Sequence, residues 1–238
     1  TFRLSELRNK IEDGEFSNND QFKILIIPGS IKAIANVSFA NCTLLEKVVI
    51  ENGVEIIGKQ AFIGCKKLEI VEIAPFVTHI CDEAFSNCDE LKTINLPKLK
   101  VISSCLFYCC SKLKEIILPD TVEIIQNYAF YQSGIVSIQI PDSVESIGDR
   151  AFMYCKCLNT VKLPNKITKI SEYLFYECHS LLSITIPNSV KIICCAAFAY
   201  CSSLPKIDFP DSVTEIGSSS FIKCNSLSEI KIPKSVEI

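Results

Sequence analysis

A phenylalanine recurs at intervals of 22 or 23 residues through nearly the whole chain, and this period constrains the fold more than any other feature. Ten modules follow one another in register. Their phenylalanines are Phe16, Phe39, Phe62, Phe85, Phe107, Phe130, Phe152, Phe175, Phe198 and Phe221. A module this short cannot bury its own apolar side chains, so the repeat predicts a solenoid in which each module packs against the next.

Two further positions of each module repeat with the phenylalanine. Three residues after it, eight modules carry cysteine, whereas two carry Asn19 and Ser133. Six residues after it, eight modules carry leucine and one carries Phe22, whereas the tenth has Ile135 slipped to five residues after Phe130. An L-x-x-I-x-I-P segment and an x-S-V-x-x-I segment complete the unit.

Each part of the unit predicts a local structure. The L-x-x-I-x-I segment alternates apolar and polar residues, is rich in β-branched side chains and ends at proline, which is typical of a short strand. The A-F-x-x-C segment has apolar residues three apart and fits one helical or 3₁₀ turn. Stacked parallel strands about 4.8 Å apart give a length of about 45 Å. We therefore expect ten repeats over residues 15–238 in a single domain.

The complete unit, I-P-x-S-V-x-x-I-G-x-x-A-F-x-x-C-x-x-L, resembles the repeat of the BspA-like leucine-rich repeat family. It is nearly whole between Ile140 and Leu158, and the resemblance extends over residues 16–238. The resemblance implies an α/β repeat fold, a curved, right-handed leucine-rich-repeat solenoid. Short parallel strands would form its concave side and short helical or 3₁₀ turns its convex side. It also implies a cell-surface or secreted protein that serves adhesion or recognition and binds a host or extracellular protein.

The two ends of the chain differ from the repeat. Residues 1–14 fit an amphipathic capping helix with Leu4, Leu7 and Ile11 on one face and Gly14 as its stop. At the other end the sequence stops inside a module at Ile238, so we expect either a longer native chain or an open last coil that pairs with another chain.

The chain has 14 cysteines, and eight of them occupy the repeat position. We predict that these eight form a ladder of buried thiols whose S–H groups contact backbone carbonyls. Disulfides between adjacent coils stay possible on distance, although parallel thiols have the wrong dihedral angle for a bridge. Zinc ligation is disfavoured, because paired C-x-x-C motifs are lacking. All-free thiols would favour an intracellular location, in conflict with the surface location that the resemblance implies.

Composition argues against most kinds of chemistry. The chain has only two histidines, His79 and His179, and neither has a recognisable catalytic partner. Phosphate-binding, metalloprotease and hydrolase motifs are absent from the sequence. The net charge of −3 argues against nucleic-acid binding. The sequence contains no run of 18 apolar residues, so we expect no membrane insertion. We therefore expect no catalytic residue, no metal and no cofactor.

The outward positions of the predicted strands are the most informative surface. They are apolar in the first coils and polar in the later ones. The predicted partner-binding residues are Ile24, Ile26, Lys47, Val49, Ile70 and Glu72. An exposed apolar patch indicates a partner site, but two alternatives remain open: general β-propensity, and coverage by the N-terminal segment. The favoured function is a non-enzymatic module that binds a protein or peptide on its concave sheet. The alternative is a scaffold that self-assembles through its last coil.

Overall fold

The computed structural model describes residues 1–236, which form seventeen short strands and no helix. In chain order the strands are β1 (Phe2–Arg3), β2 (Ile24–Ile27), β3 (Ala33–Ile34), β4 (Lys47–Ile50), β5 (Ile56–Ile57), β6 (Ile70–Ile73), β7 (His79–Ile80), β8 (Thr93–Ile94), β9 (Val101–Ile102), β10 (Ile124–Ile125), β11 (Ser137–Gln139), β12 (Ser146–Ile147), β13 (Thr160–Lys162), β14 (Lys169–Ile170), β15 (Ser183–Ile184), β16 (Ile192–Ile193) and β17 (Glu215–Ile216). The predicted parallel-strand solenoid is confirmed. Its curvature and handedness stay predictions.

The L-x-x-I-x-I segments form the main sheet, which has two parts. The first part has the strand order β1-β2-β4-β6-β8 and the second has the order β11-β13-β15, with parallel pairing throughout. Leu25 aligns with Val48 and Val48 with Val71, so equivalent residues of successive modules are paired. These three side chains are buried, whereas the residues directly before and after each of them on its own strand face outward, as the alternation predicts.

The x-S-V-x-x-I segments form a second set of strands that sequence analysis did not predict. They make three small parallel sheets with the orders β3-β5-β7, β9-β10-β12 and β14-β16-β17. Each of these strands has two residues, and the second is an isoleucine that points inward, such as Ile34, Ile57 and Ile80. Each coil therefore contributes a second side to one continuous apolar core.

The prediction of helical or 3₁₀ turns around the phenylalanines is wrong. In each coil the residues two before and two after the phenylalanine have a positive φ, such as Gln60 at 56° and Gly64 at 71° on either side of Phe62. A left-handed residue on each side interrupts a right-handed helix and aims alternate N–H groups along the solenoid axis. The Phe62 N–H thus donates to the Ala84 carbonyl of the next coil at 2.9 Å, while the Ile63 N–H closes a local turn to the Gln60 carbonyl at 3.2 Å.

The ten repeat phenylalanines form a continuous stack. Successive ring centroids lie 5.2 to 6.4 Å apart, and eight rings, Phe39 through Phe198, are fully buried. The widest separation, 6.4 Å, lies between Phe85 and Phe107. This stack joins the core of each coil to the core of the next.

The cysteine ladder is confirmed together with its hydrogen bonds. All eight repeat thiols donate to the carbonyl of the phenylalanine in the preceding coil, with Sγ–O distances of 3.0 to 3.3 Å. All 14 cysteines are free thiols. Burial raises the pKa of Cys155 to about 12, and it also raises the pKa of Cys88, Cys110, Cys178 and Cys201.

The predicted N-terminal capping helix is also wrong. Phe2 and Arg3 instead form β1, which adds a parallel strand to β2, and the ring of Phe2 stacks on Phe22 at 5.0 Å. Leu4 and Ile11 are buried, but Leu7, predicted on the same face, is 97% exposed. A short isolated helix is only marginally stable. Pairing with β2 instead gives this segment hydrogen bonds to the repeat and covers the open edge of the sheet.

At the opposite end, Ile207 and Ile230 form an isolated parallel bridge between the last two L-x-x-I-x-I segments. The predicted stop inside a module involves Glu237 and Ile238, which lie outside the described residues.

Removing one ring from the stack should destabilise the whole solenoid. We expect Phe130→Ala to lower the free energy of unfolding by about 3–5 kcal/mol, because the buried ring leaves a cavity between two neighbouring rings. Urea denaturation followed by circular dichroism measures the change. Phe76→Ala is the matched control, because Phe76 is 61% exposed, and its effect should stay below about 1 kcal/mol. Equal effects of the two variants would contradict the role of the stack.

Stability should fall steeply at alkaline pH. Below the ordinary thiol pKa of about 8.5 both states are protonated, and above it only the unfolded state ionises, because burial raises the folded pKa. Each such thiol should cost about 1.4 kcal/mol per pH unit until the pH reaches its folded pKa. Urea midpoints in a reducing buffer from about pH 7 to pH 10 test this. Cys178→Ala should make the slope shallower, and a flat profile would contradict the prediction.

Candidate functional site

The structure brings the six predicted partner-binding residues together on the outward face of the main sheet. Ile24 and Ile26 lie on β2, Lys47 and Val49 on β4, and Ile70 and Glu72 on β6. They form two rows across three strands: one row pairs Ile24 with Lys47 and Ile70, and the other pairs Ile26 with Val49 and Glu72. We call these six residues the N-terminal patch.

The exposure of the N-terminal patch is graded along the sheet. Ile24, Ile26 and Val49 are half-buried, whereas Ile70 is 37% exposed. The apolar atoms therefore form one connected surface without projecting strongly into solvent. Such a surface can contact a partner without reorganising the sheet.

Charges at the patch are paired rather than free. Lys47 Nζ lies 2.6 Å from Glu72 Oε1. Arg3 donates through two nitrogens to the Glu51 carboxylate at 2.6 and 2.9 Å, and this lowers the pKa of Glu51. Because Arg3 is on β1 and Glu51 follows β4, this ion pair reaches across β2. This role of Arg3 has no signal in the sequence, because the segment around it fits an amphipathic helix.

The main sheet is interrupted at residues 115–118, which we call the sheet break. These residues lie between β8 and β11 and belong to neither part of the sheet. Within the described part of the chain, their backbone N–H and C=O groups make no hydrogen bond. The last axial bond before the break runs from the Val136 N–H to the Lys114 carbonyl at 2.9 Å.

Two shortened modules flank the sheet break. Phe85 to Phe107 and Phe130 to Phe152 each span 22 residues instead of 23. In the first of these modules the Leu99 N–H donates to the Pro97 carbonyl two residues earlier, at 2.8 Å. The shortening alone does not prevent pairing, since β10 and β12 pair in parallel at a 22-residue offset. The main sheet is nevertheless interrupted in the coil that lies between the two shortened modules. The altered spacing is visible in the sequence, but by itself it does not predict an interruption of the sheet.

A cleft of about 1070 Å³ opens between β8 and the sheet break. Its apolar wall includes Ile94, Leu96, Ile116 and Ile117. Its charged lining consists of Lys92, Lys98, Lys112, Lys114, Glu90 and Glu115. On the β8 side the Asn95 side chain bonds to both the N–H and the C=O of Ile73, at 2.9 and 2.7 Å, and so completes the edge of the first part of the sheet.

All seven tyrosines of the chain lie on the phenylalanine turns between residues 108 and 200, a clustering that sequence analysis missed. Tyr108 stacks on Tyr131 with centroids 4.5 Å apart, and burial raises the pKa of Tyr131 to about 12. The Arg150 guanidinium lies 5.6 Å from the Tyr128 ring and 4.6 Å from the Tyr173 ring. Since the rings pack against one another, this cluster extends the packing of the coils to the surface.

Within residues 1–236, neither histidine is hydrogen-bonded to a cysteine. His79 Nδ1 lies 2.9 Å from the Thr78 hydroxyl. His179 Nδ1 lies 3.0 Å from the Tyr200 carbonyl and 3.5 Å from the Ser202 hydroxyl. Cys178, the neighbour of His179, is buried and donates to the Phe152 carbonyl. Among residues 1–236, no group of three or more His, Cys, Asp or Glu side chains is placed to hold a metal ion.

The part of the chain that the structure describes includes no helix with the length and apolar character needed to cross a membrane.

Comparison with known proteins identifies the repeat. The family profile of the BspA type Leucine rich repeat region matches residues 9–136 and 123–238 in six copies. A search of curated proteins found no match.

Solved structures of bacterial repeat proteins are similar to this chain. A leucine rich cell surface protein from Faecalibacterium prausnitzii is 30% identical, with a TM-score of 0.68 over 94% of this chain and 71% of the other. A leucine-rich repeat protein from Bacteroides ovatus is 26% identical, with a TM-score of 0.55 over 98% of this chain and 78% of the other. The leucine-rich repeat protein of T. pallidum is 26% identical, with a TM-score of 0.56 over 77% of this chain and 78% of the other. The chain therefore belongs to the family of BspA-type leucine-rich repeat proteins.

Proposed function

We propose that the protein is a non-enzymatic binding module that recognises a protein or peptide through the outward face of its main sheet. The observation that carries the proposal is the N-terminal patch, in which apolar side chains of three adjacent strands form one connected surface. Connected apolar patches of this kind indicate partner sites more often than isolated apolar residues do.

The chemistry of the patch favours a protein partner over a nucleic acid. Ile26, Val49 and Ile70 supply apolar contact, and the ion pairs Lys47–Glu72 and Arg3–Glu51 leave little free charge around them. Protein interfaces combine an apolar centre with a polar rim. Nucleic-acid sites instead need an excess of positive charge, and this chain has a net charge of −3.

The similarity to a cell surface protein of Faecalibacterium prausnitzii supports a further part of the proposal. We infer that the module acts at the cell surface or after secretion, with a host or extracellular protein as its partner. Buried thiols are compatible with such a location, because the eight repeat cysteines are hydrogen-bonded inside the core rather than free to exchange.

The alternative function, a scaffold that self-assembles through its last coil, stays a prediction. It depends on the coil that contains Glu237 and Ile238, outside the described residues. Sedimentation velocity at increasing concentration would measure it. A strict monomer would exclude it.

Charge placed on the patch should reduce partner binding. Peptides selected from a phage-displayed random library on the wild-type protein are synthesised with a fluorophore and titrated by anisotropy. We expect Ile70→Asp to weaken the binding of selected peptides by about tenfold or more, because the partner must desolvate the new carboxylate. Ile70 is 37% exposed, so the variant should keep the fold.

Ile222→Asp is the matched control, because Ile222 is 46% exposed on a phenylalanine turn away from the main sheet. Its binding constants should equal those of the wild-type protein. If Ile70→Asp and Ile26→Asp both bind every selected peptide as the wild type does, the patch is not the site.

A further inference from the structure

The sheet break leaves backbone groups without an internal partner, and such groups can pair with another strand. Four consecutive residues, Glu115 to Leu118, leave their N–H and C=O groups without a partner within residues 1–236. A peptide group without an internal partner must bond to water or to a ligand. Extended peptides commonly bind proteins by adding a strand to such an open edge, with the main chain supplying the affinity.

Side chains at the break give the edge an apolar surface. Ile117 is 88% exposed, although the equivalent positions of other coils include the half-buried Ile26 and Val49. Next to it the cleft exposes parts of Ile94 and Leu96. A cleft of about 1070 Å³ is large enough to hold a short extended segment.

The charge of the cleft selects the class of partner. Its lining has four lysines and two glutamates, a net charge of 4 − 2 = +2 in a chain whose net charge is −3. Lys92 is paired with Glu69, whereas Lys98, Lys112 and Lys114 have no ion pair within residues 1–236. Lys112 and Lys114 are exposed on the same coil as the unpaired backbone. An acidic segment complements this lining.

We propose that the cleft between β8 and the sheet break binds an extended acidic segment of a partner protein, which pairs through its main chain with residues 115–118. This inference rests on the proposed function, because it takes a protein as the partner of the main sheet. It adds that the partner segment is acidic, and it adds a second binding position on the main sheet. At about 3.3 Å per residue the four free residues match a segment of about four to six residues.

The probe is a fluorescein-labelled octapeptide of alternating glutamate and valine with capped ends, titrated by anisotropy at low ionic strength. We expect saturable binding of this peptide. A peptide with lysine in place of glutamate should not bind, and a peptide N-methylated at alternate amides should bind about tenfold more weakly, because it loses main-chain bonds. Absence of saturable binding up to about 1 mM would overturn the proposal.

Charge reversal locates the probe on the protein. Lys112→Glu should weaken binding by about tenfold. Lys67→Glu is the matched control, because Lys67 holds the same place in its coil, five residues after Phe62, and is an exposed residue that does not line the cleft. Both side chains are exposed, and circular dichroism checks that both variants fold.

Hydrogen exchange followed by mass spectrometry tests the backbone part of the proposal. The amides of residues 115–118 should exchange rapidly in the free protein and become protected when the peptide saturates it, while the Val161 amide in β13 stays protected throughout. Slow exchange in the free protein, or no protection with peptide, would overturn the proposal. Protection that grows with protein concentration alone would assign the cleft to a second copy of the chain and also overturn it.

The variants distinguish this proposal from the proposed function. If Ile70→Asp abolishes binding of the probe and Lys112→Glu leaves it unchanged, the proposal of a cleft site is overturned and the N-terminal patch is supported. The reverse result would support the cleft as a site of its own.

Discussion

Hydrogen bonding along the solenoid axis is the constraint on which the rest of the structure depends. Residues 1–236 contain no helix, so the backbone of each coil has to pair with the coils on either side. This holds even at the turns, where the N–H groups of Gln60, Phe62 and Gly64 donate to three carbonyls of the next coil at 2.9 to 3.0 Å. Such pairing is possible only if equivalent residues of successive modules lie side by side, and this explains why the module length varies by no more than one residue. The phenylalanine stack and the thiol–carbonyl bonds then follow from the same register.

The register also explains which parts of the fold the sequence could predict. The main strands, the buried phenylalanines and the cysteine ladder repeat in nearly every module, so each is supported many times. The turns were misassigned because apolar residues three apart fit a helical turn as well as a turn with two left-handed residues. Gly14 and Gly64 hint at the left-handed positions, but the same positions also hold Tyr128 and Arg150, which give no such signal. The N-terminal segment does not repeat at all, and there the open edge of β2 decided the structure against local helix propensity.

The candidate sites show the same division. Strict alternation along β2, β4 and β6 was enough to place the N-terminal patch on one face. The contribution of Arg3 depends on a strand that only tertiary pairing creates. The sheet break lies between two absences, one residue missing before Leu99 and one before Ile135, and the residue that it leaves exposed is Ile117 in the coil between them. Sequence patterns show what a module shares with the others, whereas this site arises from how two modules differ.

The sheet break is tolerated because the other sides of the solenoid continue past it. In the same coil Phe107 and Cys110 are fully buried, and β9 pairs with β10 without interruption. The core therefore does not need the main sheet at this point, since Ile116 and Leu118 of the break are still buried in it. The break departs from an otherwise regular pattern, yet it leaves the core intact and alters only the surface. We expect function rather than folding to have shaped the sequence at such a place. The N-terminal patch is separated from the break by β8 alone, so one extended partner can contact both.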